Sequence, residues 1–305
     1  MSSTIKISVV ICTYNRALYI EDAMQSLYHQ TLPASLFEVI VANNNSTDDT
    51  AAVCQQFLDS HTDAHFYYLE EKRQGATYAR NSGAALAKGE LLCFMDDDAI
   101  ADPDYLERIV NFFATHADAG ELGGRIIPKY IPQEPKWMSH YVSSLVGNFN
   151  YSEDVEIFKP GKYPLESNMI IRTADFIKVN GFNEALPGVV GTLRIGGEGK
   201  EFFYKLQAIG RQIYYDPAIR VQHVVEVKKL TKEYMYRVAS GIGRGERRRV
   251  LEISKTAYYK KHLEYLFKLG ASILLGLKYT LQGCPAKAWP VIQFRIDAIK
   301  GLLNK

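Results

Sequence analysis

Three consecutive aspartates, Asp96, Asp97 and Asp98, follow directly on the apolar stretch ELLCFM. Two carboxylates about 4 Å apart repel each other by roughly 1 kcal/mol in bulk water and by about 4 kcal/mol at an effective dielectric constant near 20. At the end of a buried strand, this repulsion adds to the cost of taking each charge out of water. The sequence therefore predicts that a bound cation offsets the repulsion at this point.

The alternation of side chains along a strand sharpens this expectation. Asp96 and Asp98 point to one side and Asp97 to the other if the extended conformation persists. Two carboxylates on one side suit a hard divalent cation, either directly or with one of them binding a ligand hydroxyl. The alternative is an Asp-rich turn that caps the next helix. Because Asp102, followed by Pro103, already supplies a helix start, we favour ligand binding.

The first third of the chain alternates between strand-like and helix-like stretches. The strand-like ones are IKISVVICTY, FEVIVAN, HFYYLEE and ELLCFM, and the helix-like ones are ALYIEDAMQSLYHQ, TAAVCQQFLDS and GATYARNSGAALAK. This order predicts an α/β fold with a mainly parallel sheet covered on both faces. Ligands bind such sheets beyond the carboxyl ends of the strands. The polar segments CTYNR, NNNSTDD and MDDD all lie at those ends.

The pattern loosens after residue 120. GGRIIPKYIPQEPKWM contains three prolines and predicts an irregular crossing segment. Beyond it we expect the strands SNMIIR, RQIYYDP and IRVQHVVEV, and the helices TADFIKVN and EFFYKLQAIG. From about Thr231 onwards the chain is predicted to be helical.

Several of these segments together resemble the family-2 inverting glycosyltransferases of the GT-A fold. They are ISVVICTYNR, NNNSTDDT, RQGATYARNSGAALAKGELLCFMDDD and SNMIIR, followed by GFNE and GGEGKEFFYKLQAIGRQIYYDP, and they span roughly residues 5–225. The resemblance implies a Rossmann-like GT-A domain over residues 1–230, and the basic, helix-like pattern of the remaining residues predicts an amphipathic helical extension over 231–305. Within the domain it implies a nucleotide-sugar half over about 1–120 and an acceptor half over about 121–230. It also implies sugar transfer from a nucleotide diphosphate donor, usually a UDP-sugar, with Mn²⁺ or Mg²⁺.

On the donor side, the resemblance assigns Thr13 and Tyr14 to the nucleobase, with Arg16 close by. Asn43 stands where family members usually carry the acid that reads uracil, and an amide can still bond a base edge, so the base preference stays open. Arg80 matches the family's donor-side arginine, which faces the diphosphate as a fixed cation. The alternative for Arg80 is a surface position on a helix.

The D-x-D element has assigned roles in the same family. Asp96 contacts the ribose or the sugar, Asp98 ligates the metal, and we count Asp97 with the donor-binding residues. His223 follows in a β-type segment, and some GT-A enzymes use a late histidine as a metal ligand, for which imidazole is suited. The alternative for His223 is a core or edge residue with a satisfied hydrogen bond.

Transfer also needs a base, because the attacking sugar hydroxyl must lose its proton. The Gly-rich stretch GGEGKEFF precedes a helix and carries Glu198 and Glu201. Family members often have Glu-Asp here, with the second acid as the base, but this chain has Gly199. We expect Glu198 to act as the base instead. There are three alternatives: Glu201 is the base, the acid only caps the helix, or the protein has lost transfer activity.

The C-terminal part differs from the rest in charge. From Ser240 the chain has thirteen Lys or Arg against four Asp or Glu, although the 305-residue chain carries a net charge of only +2. The apolar run from Tyr265 to Leu281 is short and interrupted by lysines, so we expect an amphipathic helix on an anionic membrane surface. The alternative is a hairpin packed on the domain or on another subunit, as in a homo-oligomer. No nucleic-acid-binding motif accompanies the charge.

These features predict a cytoplasmic, non-processive enzyme, peripheral on the inner face of the plasma membrane. Four scattered cysteines suit reduced thiols, and the start does not read as a signal peptide. We see neither the Q-x-x-R-W stretch nor the transmembrane helices of processive members, so we expect single-sugar transfer to a saccharide or lipid-linked acceptor in surface polysaccharide synthesis. One alternative is a catalytically impaired nucleotide-sugar-binding protein. A sugar nucleotidyltransferase is less favoured, because CTYNRALYI lacks a Gly-rich phosphate loop.

Overall fold

The computed structural model of the chain describes residues 4–190, 193–195 and 197–304. The strands are β1 (Ile7–Thr13), β2 (Phe37–Asn43), β3 (Phe66–Glu70), β4 (Leu91–Asp96), β5 (Ala99–Ala101), β6 (Ala119–Tyr130), β7 (Glu156–Ile157), β8 (Asn168–Arg172), β9 (Gly188–Val190), β10 (Leu193–Ile195) and β11 (Gln212–Val225). The helices are α1 (Ile20–Tyr28), α2 (Thr50–Ser60), α3 (Ala76–Leu86), α4 (Tyr105–Thr115), α5 (His140–Ser143), α6 (Thr173–Lys178), α7 (Glu198–Ala208), α8 (Lys232–Ile253), α9 (Lys255–Leu281) and α10 (Ala288–Leu303). Short 3₁₀ helices cover Ala34–Leu36, Ser144–Val146, Val227–Leu230 and Pro285–Lys287.

The main sheet has the strand order β3-β2-β1-β4-β8-β6-β11-β5, with β7 also beside β11. β1 runs parallel to β2 and β4, and β2 runs parallel to β3. β8 lies antiparallel to both β4 and β6, and β11 lies antiparallel to β5 and β7. The expected α/β architecture is confirmed. Its parallel strands are β3, β2, β1 and β4, which are the first four in the strand order.

Helices cover both faces of this sheet, because the central strands are apolar on both sides. All seven residues of β2 are buried, as expected of a parallel strand between two helical layers. Val9 belongs to a cluster with residues of α1, α2 and α4. Val10, its neighbour on β1, belongs to a second cluster with residues of α3, α6 and α7. The sheet therefore separates two hydrophobic cores.

The strand register brings several polar residues to one edge. Thr13 pairs with Asn43 across β1 and β2, and Cys12 pairs with Asp96 across β1 and β4. After a turn at residues 97–98, β5 pairs with β11 so that Ala99 lies opposite His223. This pairing places the imidazole of a distant strand beside the aspartates.

Two strands differ from the expectations. β6 runs through the first half of the segment expected to be irregular, and Gly124 permits this because a Cβ atom there would overlap with the Ile219 carbonyl oxygen. β11 is one continuous strand across Pro217, where two strands were expected. Pro217 lies between the residues paired with β7 and those paired with β5, a position where a missing N–H group is tolerated.

The chain divides into two compact units. The first comprises Met1–Ile127, Phe149–Pro187 and Glu198–His223, and the second comprises Pro128–Asn148, Gly188–Gly197 and Val224–Lys305. The predicted domain boundary near residue 230 stays a prediction. In the second unit α10 approaches α8 closely, since a Cβ atom at Gly243 or Gly301 would overlap with backbone of the facing helix. None of the helices in the described part of the chain is long and apolar enough to cross a membrane.

Candidate active site at the carboxyl ends of the strands

Asp96, Asp98 and His223 form the first group of the site. Each offers one ligand atom, and these atoms all lie within 4.8 Å of one another. His223 Nε2 is 2.9 Å from Asp98 Oδ1, and both side chains are buried. Two carboxylates and an imidazole are a donor set that suits Mn²⁺ and can serve Mg²⁺. The residues present therefore fit a divalent cation, and the roles of Asp98 and His223 as its ligands stay a prediction that this geometry permits.

Asp97 and Arg16 form the second group of the site. Asp97 accepts a hydrogen bond from the Tyr14 N–H at 3.3 Å. Arg16 Nε lies 3.4 Å from Asp97 Oδ1 and 3.7 Å from Asp98 Oδ2. Burial and the neighbouring Asp98 charge raise the pKa of Asp97 to about 7, although Arg16 opposes the shift. Arg16 thus offsets part of the repulsion, and its predicted place near the nucleobase is not tested by these contacts.

The site is bounded on one side by the turn after β2. Asn43 is buried, and its Nδ2 donates to the Tyr68 hydroxyl at 2.8 Å while its Oδ1 accepts from the Ser46 N–H at 3.2 Å. Thr13, its partner on β1, is buried as well. Asn43 therefore stabilises this turn. Binding of the nucleobase by Asn43, Thr13 and Tyr14 stays a prediction.

Arg80 is buried in α3, so the alternative of a surface position is wrong. Its Nη1 lies 3.2 Å from Glu198 Oε1, and its guanidinium lies over the ring of Phe182 with 5.7 Å to the ring centroid. Burial works against the charged form, but the carboxylates of Glu198 and Glu166 raise the pKa of Arg80 above its ordinary value. Arg80 is a permanently charged cation inside the site.

Helix α7 begins at Glu198, which is buried against Arg80. Glu201 lies 3.3 Å from Lys205 Nζ, one turn further along the helix. The Gly199 N–H donates to Glu166 Oε1 at 2.8 Å. Sequence analysis did not single out Glu166; the only local signal is an acid just before the strand that starts at Asn168.

Glu121 is a second acid that sequence analysis missed. It lies on β6 with no exposed surface, and neither carboxylate oxygen has a hydrogen-bond partner within residues 4–190, 193–195 and 197–304. Burial, with a smaller contribution from Glu166, raises the pKa of Glu121 well above its ordinary value. The protonated form of Glu121 is therefore favoured.

Asp102 does not have the capping role that we expected. Its side chain accepts a hydrogen bond from Arg220 Nε at 2.8 Å, and the residue at the N-cap of α4 is Asp104. The argument from Asp102 against a capping turn is therefore wrong, and the case for ligand binding depends on the cluster of Asp96, Asp98 and His223.

The family model described as glycosyl transferase family 2 matches residues 8–179. The chain belongs to this family. The match covers β1 to β4 and the aspartates, and it confirms the resemblance seen in the sequence.

Two curated relatives extend the similarity within family 2. One is a glucosyl-dolichyl phosphate glucuronosyltransferase of Haloferax volcanii, 24% identical over 267 residues, which are 84% of this chain and 82% of the relative. The other is a validoxylamine A glucosyltransferase of Streptomyces hygroscopicus subsp. jinggangensis, 30% identical over 226 residues. The alignment covers 67% of this chain and about half (52%) of that second relative. Both names describe sugar transfer, in agreement with the match to glycosyl transferase family 2.

A solved structure confirms the GT-A fold. The mannosyltransferase PcManGT from Pyrobaculum calidifontis, in complex with GDP-Man and Mn²⁺, matches with a TM-score of 0.68 at 18% sequence identity. The similarity covers 98% of this chain and 87% of PcManGT.

Asp98→Asn tests the cation site. Manganese should raise the melting temperature of the wild-type protein. At a hundredfold excess of manganese over its dissociation constant, the free energy of unfolding should increase by about 2.7 kcal/mol. The variant should lose this response, because a neutral amide is a much poorer ligand. Asp102→Asn, which removes an aspartate outside the cluster, is the matched control and should keep it. An unchanged manganese response in Asp98→Asn would contradict the assignment.

Glu121→Gln tests the buried acid through the pH dependence of stability. Above a pH of about 4.5 the unfolded chain releases the Glu121 proton while the folded chain retains it, so rising pH destabilises the wild-type protein. The slope is roughly 1 kcal/mol per pH unit up to the folded pKa. Glutamine cannot ionise, so urea unfolding at pH 5, 6 and 7 should show the variant gaining stability relative to wild type. The exposed Glu21→Gln is the control, and a constant difference would refute a raised pKa.

Proposed function

We propose that the chain is an inverting, metal-dependent, non-processive glycosyltransferase that moves one sugar from a nucleotide diphosphate donor to a saccharide or lipid-linked acceptor in surface polysaccharide synthesis. The observation that carries the proposal is the cluster of Asp96, Asp98 and His223 at the end of β4 in a family-2 chain. A nucleotide diphosphate is the substrate part that such a cation site suits best, because its oxygens can complete the coordination of the ion.

The residues around the cluster have complementary tasks in this proposal. A divalent cation, when bound, takes up the charge that grows on the departing diphosphate. Asp98 and His223 would hold it, and Asp96 would bind a sugar or ribose hydroxyl. Arg80 presents a second fixed positive charge toward the diphosphate, and Glu198 keeps its guanidinium oriented. Thr13, Tyr14 and Asn43 lie at the nucleobase end.

The identity of the nucleobase in the nucleotide-sugar donor is less directly indicated by the residues than the cation site is. The family resemblance favours uridine, whereas the solved relative with the same fold holds GDP-Man and Mn²⁺. Asn43 offers an amide, which can both donate and accept, where an acid can only accept. We therefore propose a UDP-sugar as the first candidate and a GDP-sugar as the second.

A lipid-linked acceptor is supported by a cavity in the second unit. Its volume is about 670 Å³, and its lining is mainly apolar, including Trp137, Leu145, Met235, Trp289 and Phe294, with Lys232 and Lys300 also present. An apolar chain suits the lining and the Lys232 ammonium suits a phosphate, while Lys300 Nζ lies 3.4 Å from Oδ1 of Asp297, an acid that also lines the cavity. The relative from Haloferax volcanii is named for a dolichyl phosphate compound, which has this chemistry.

Helix α9 supports peripheral contact with an anionic membrane. It exposes a row of apolar side chains at helical intervals, comprising Tyr259, Leu263, Leu266, Phe267, Ile273, Leu274, Leu277 and Leu281. The exposed Lys260 and Lys278 lie on the same helix. Apolar side chains that enter the headgroup region, with lysines facing anionic lipid, are the signature of an in-plane helix.

A catalytically impaired nucleotide-sugar-binding protein is the second candidate function. Gly199 favours it, since this position usually carries the catalytic acid in the family. Both candidates bind the nucleotide sugar, so only turnover of the donor distinguishes them.

A panel of UDP- and GDP-sugars, measured by thermal shift with manganese and by release of nucleoside diphosphate, tests the proposed function. One base class should raise the melting temperature with increasing concentration, and only when manganese is present. The same nucleotide sugar should be hydrolysed slowly by the enzyme. Binding without any release would favour the binding protein, and no response from any nucleotide would contradict both.

Co-sedimentation of the full chain with vesicles tests the membrane contact. Vesicles rich in phosphatidylserine should pellet the protein at low salt, and added salt should weaken the binding. Phe267→Asp combined with Leu274→Asp should abolish it. Leu18→Asp, a change of an exposed apolar residue in the first unit, is the control. If the wild type stays in the supernatant at low salt, α9 has a packing role instead.

A further inference from the structure

Gly199 is the second residue of α7, at the position where the resemblance to family 2 implies an acid. A Cβ atom there would overlap with the carboxylate of Glu166. The Gly199 N–H also donates to Glu166 Oε1 at 2.8 Å, which satisfies one of the free donors in the first turn of the helix. Glu166 and a side chain at position 199 therefore compete for one space, and Glu166 fills it with a carboxylate.

Glu166 has the surroundings that a reacting carboxylate needs. It is half-buried in the loop before β8, so a substrate hydroxyl can reach it. It binds the N–H group of Gly199, the chain neighbour of Glu198, whose Oε1 lies 3.2 Å from Arg80 Nη1, and its charge contributes to the raised pKa of Arg80. Oε1 is used by Gly199, and within the described part of the chain no hydrogen bond is made to Oε2.

We propose that Glu166 is the general base of the transfer reaction, in place of the acid that position 199 lacks. The inference rests on the proposed function and assigns its missing catalytic group. The acceptor oxygen attacks the anomeric carbon, and the bond from that carbon to the diphosphate breaks with its electron pair on the diphosphate oxygen. The hydroxyl proton passes to Glu166 Oε2, which then releases it to solvent.

Glu198, the residue expected from the sequence, is less suited to this step. Its Oε1 is 3.2 Å from the Arg80 guanidinium, and the side chain is buried. An adjacent cation stabilises the ionised carboxylate and so weakens it as a proton acceptor. Glu198 is better placed to orient Arg80 than to meet an acceptor hydroxyl.

Glu166→Gln separates a catalytic role from a structural one. The amide oxygen still accepts from the Gly199 N–H, so the melting temperature and the manganese-dependent nucleotide binding should stay as in wild type. The amide cannot take a proton, so nucleoside diphosphate release from the best UDP- or GDP-sugar of the panel should fall at least a hundredfold, in line with typical general-base contributions. Glu198→Gln, measured in parallel, should weaken nucleotide binding more than it slows release from the bound donor.

A position swap is the positive test. Glu166→Ala vacates the space, and Gly199→Asp in the same chain returns a carboxylate to it from the other side. The double variant should release nucleotide at least tenfold faster than Glu166→Ala alone. Gly199→Asp by itself should be impaired, because the two acids then overlap.

The outcomes distinguish this inference from the proposed function. Wild-type release together with unimpaired Glu166→Gln would overturn the role of Glu166 and leave the proposed function intact. Loss of release in Glu198→Gln at unchanged nucleotide binding, with Glu166→Gln active, would return the base to Glu198. A wild-type protein that releases nothing from any donor would contradict the proposed function itself.

Discussion

Electrostatic compensation of the aspartate cluster is the constraint on which the arrangement of the site depends. Three carboxylates at the end of a buried strand are held together only where compensating groups approach them from other elements. Arg16 comes from the segment after β1, and His223 comes from β11 through the pairing of that strand with β5. One arginine near both Asp97 and Asp98 does not balance three carboxylates, and burial together with the Asp98 charge raises the pKa of Asp97. A divalent cation is the natural complement of the excess negative charge.

A second charge balance operates around Arg80. This one buried cation is paired with Glu198, and the charge of Glu166 also raises its pKa. Burial raises the pKa of Glu121 and so favours its neutral form. Two acids near one arginine leave net negative charge on the α7 side of the site, which suits the acceptance of a proton. In the proposed reaction, an anionic diphosphate would be drawn to Arg80 and to a cation held at the aspartate cluster.

The sequence predicts what is local and misses what depends on contacts between distant segments. The α/β alternation, the strand end at Asp96 and the resemblance to family 2 are encoded in short contiguous stretches, and the fold and family are confirmed. β5 is three residues long and exists because β11 pairs with it, which no local pattern reveals. Glu166 meets Gly199 across 33 residues of sequence, and Glu121 is an acid inside an otherwise apolar strand. Neither has a periodicity or motif that could have identified it.

The glycine at position 199 shows why a departure from a family pattern has to be judged in three dimensions. Along the chain, the departure reads as the loss of an acid and therefore as the loss of a base. In the fold, the space that the acid would occupy holds the carboxylate of Glu166, tied to the Gly199 N–H. A glycine without such a neighbour would leave a gap at the start of α7 and an unsatisfied N–H group. Glu166 therefore both binds the N–H group at the start of α7 and brings a carboxylate to the space beside Gly199.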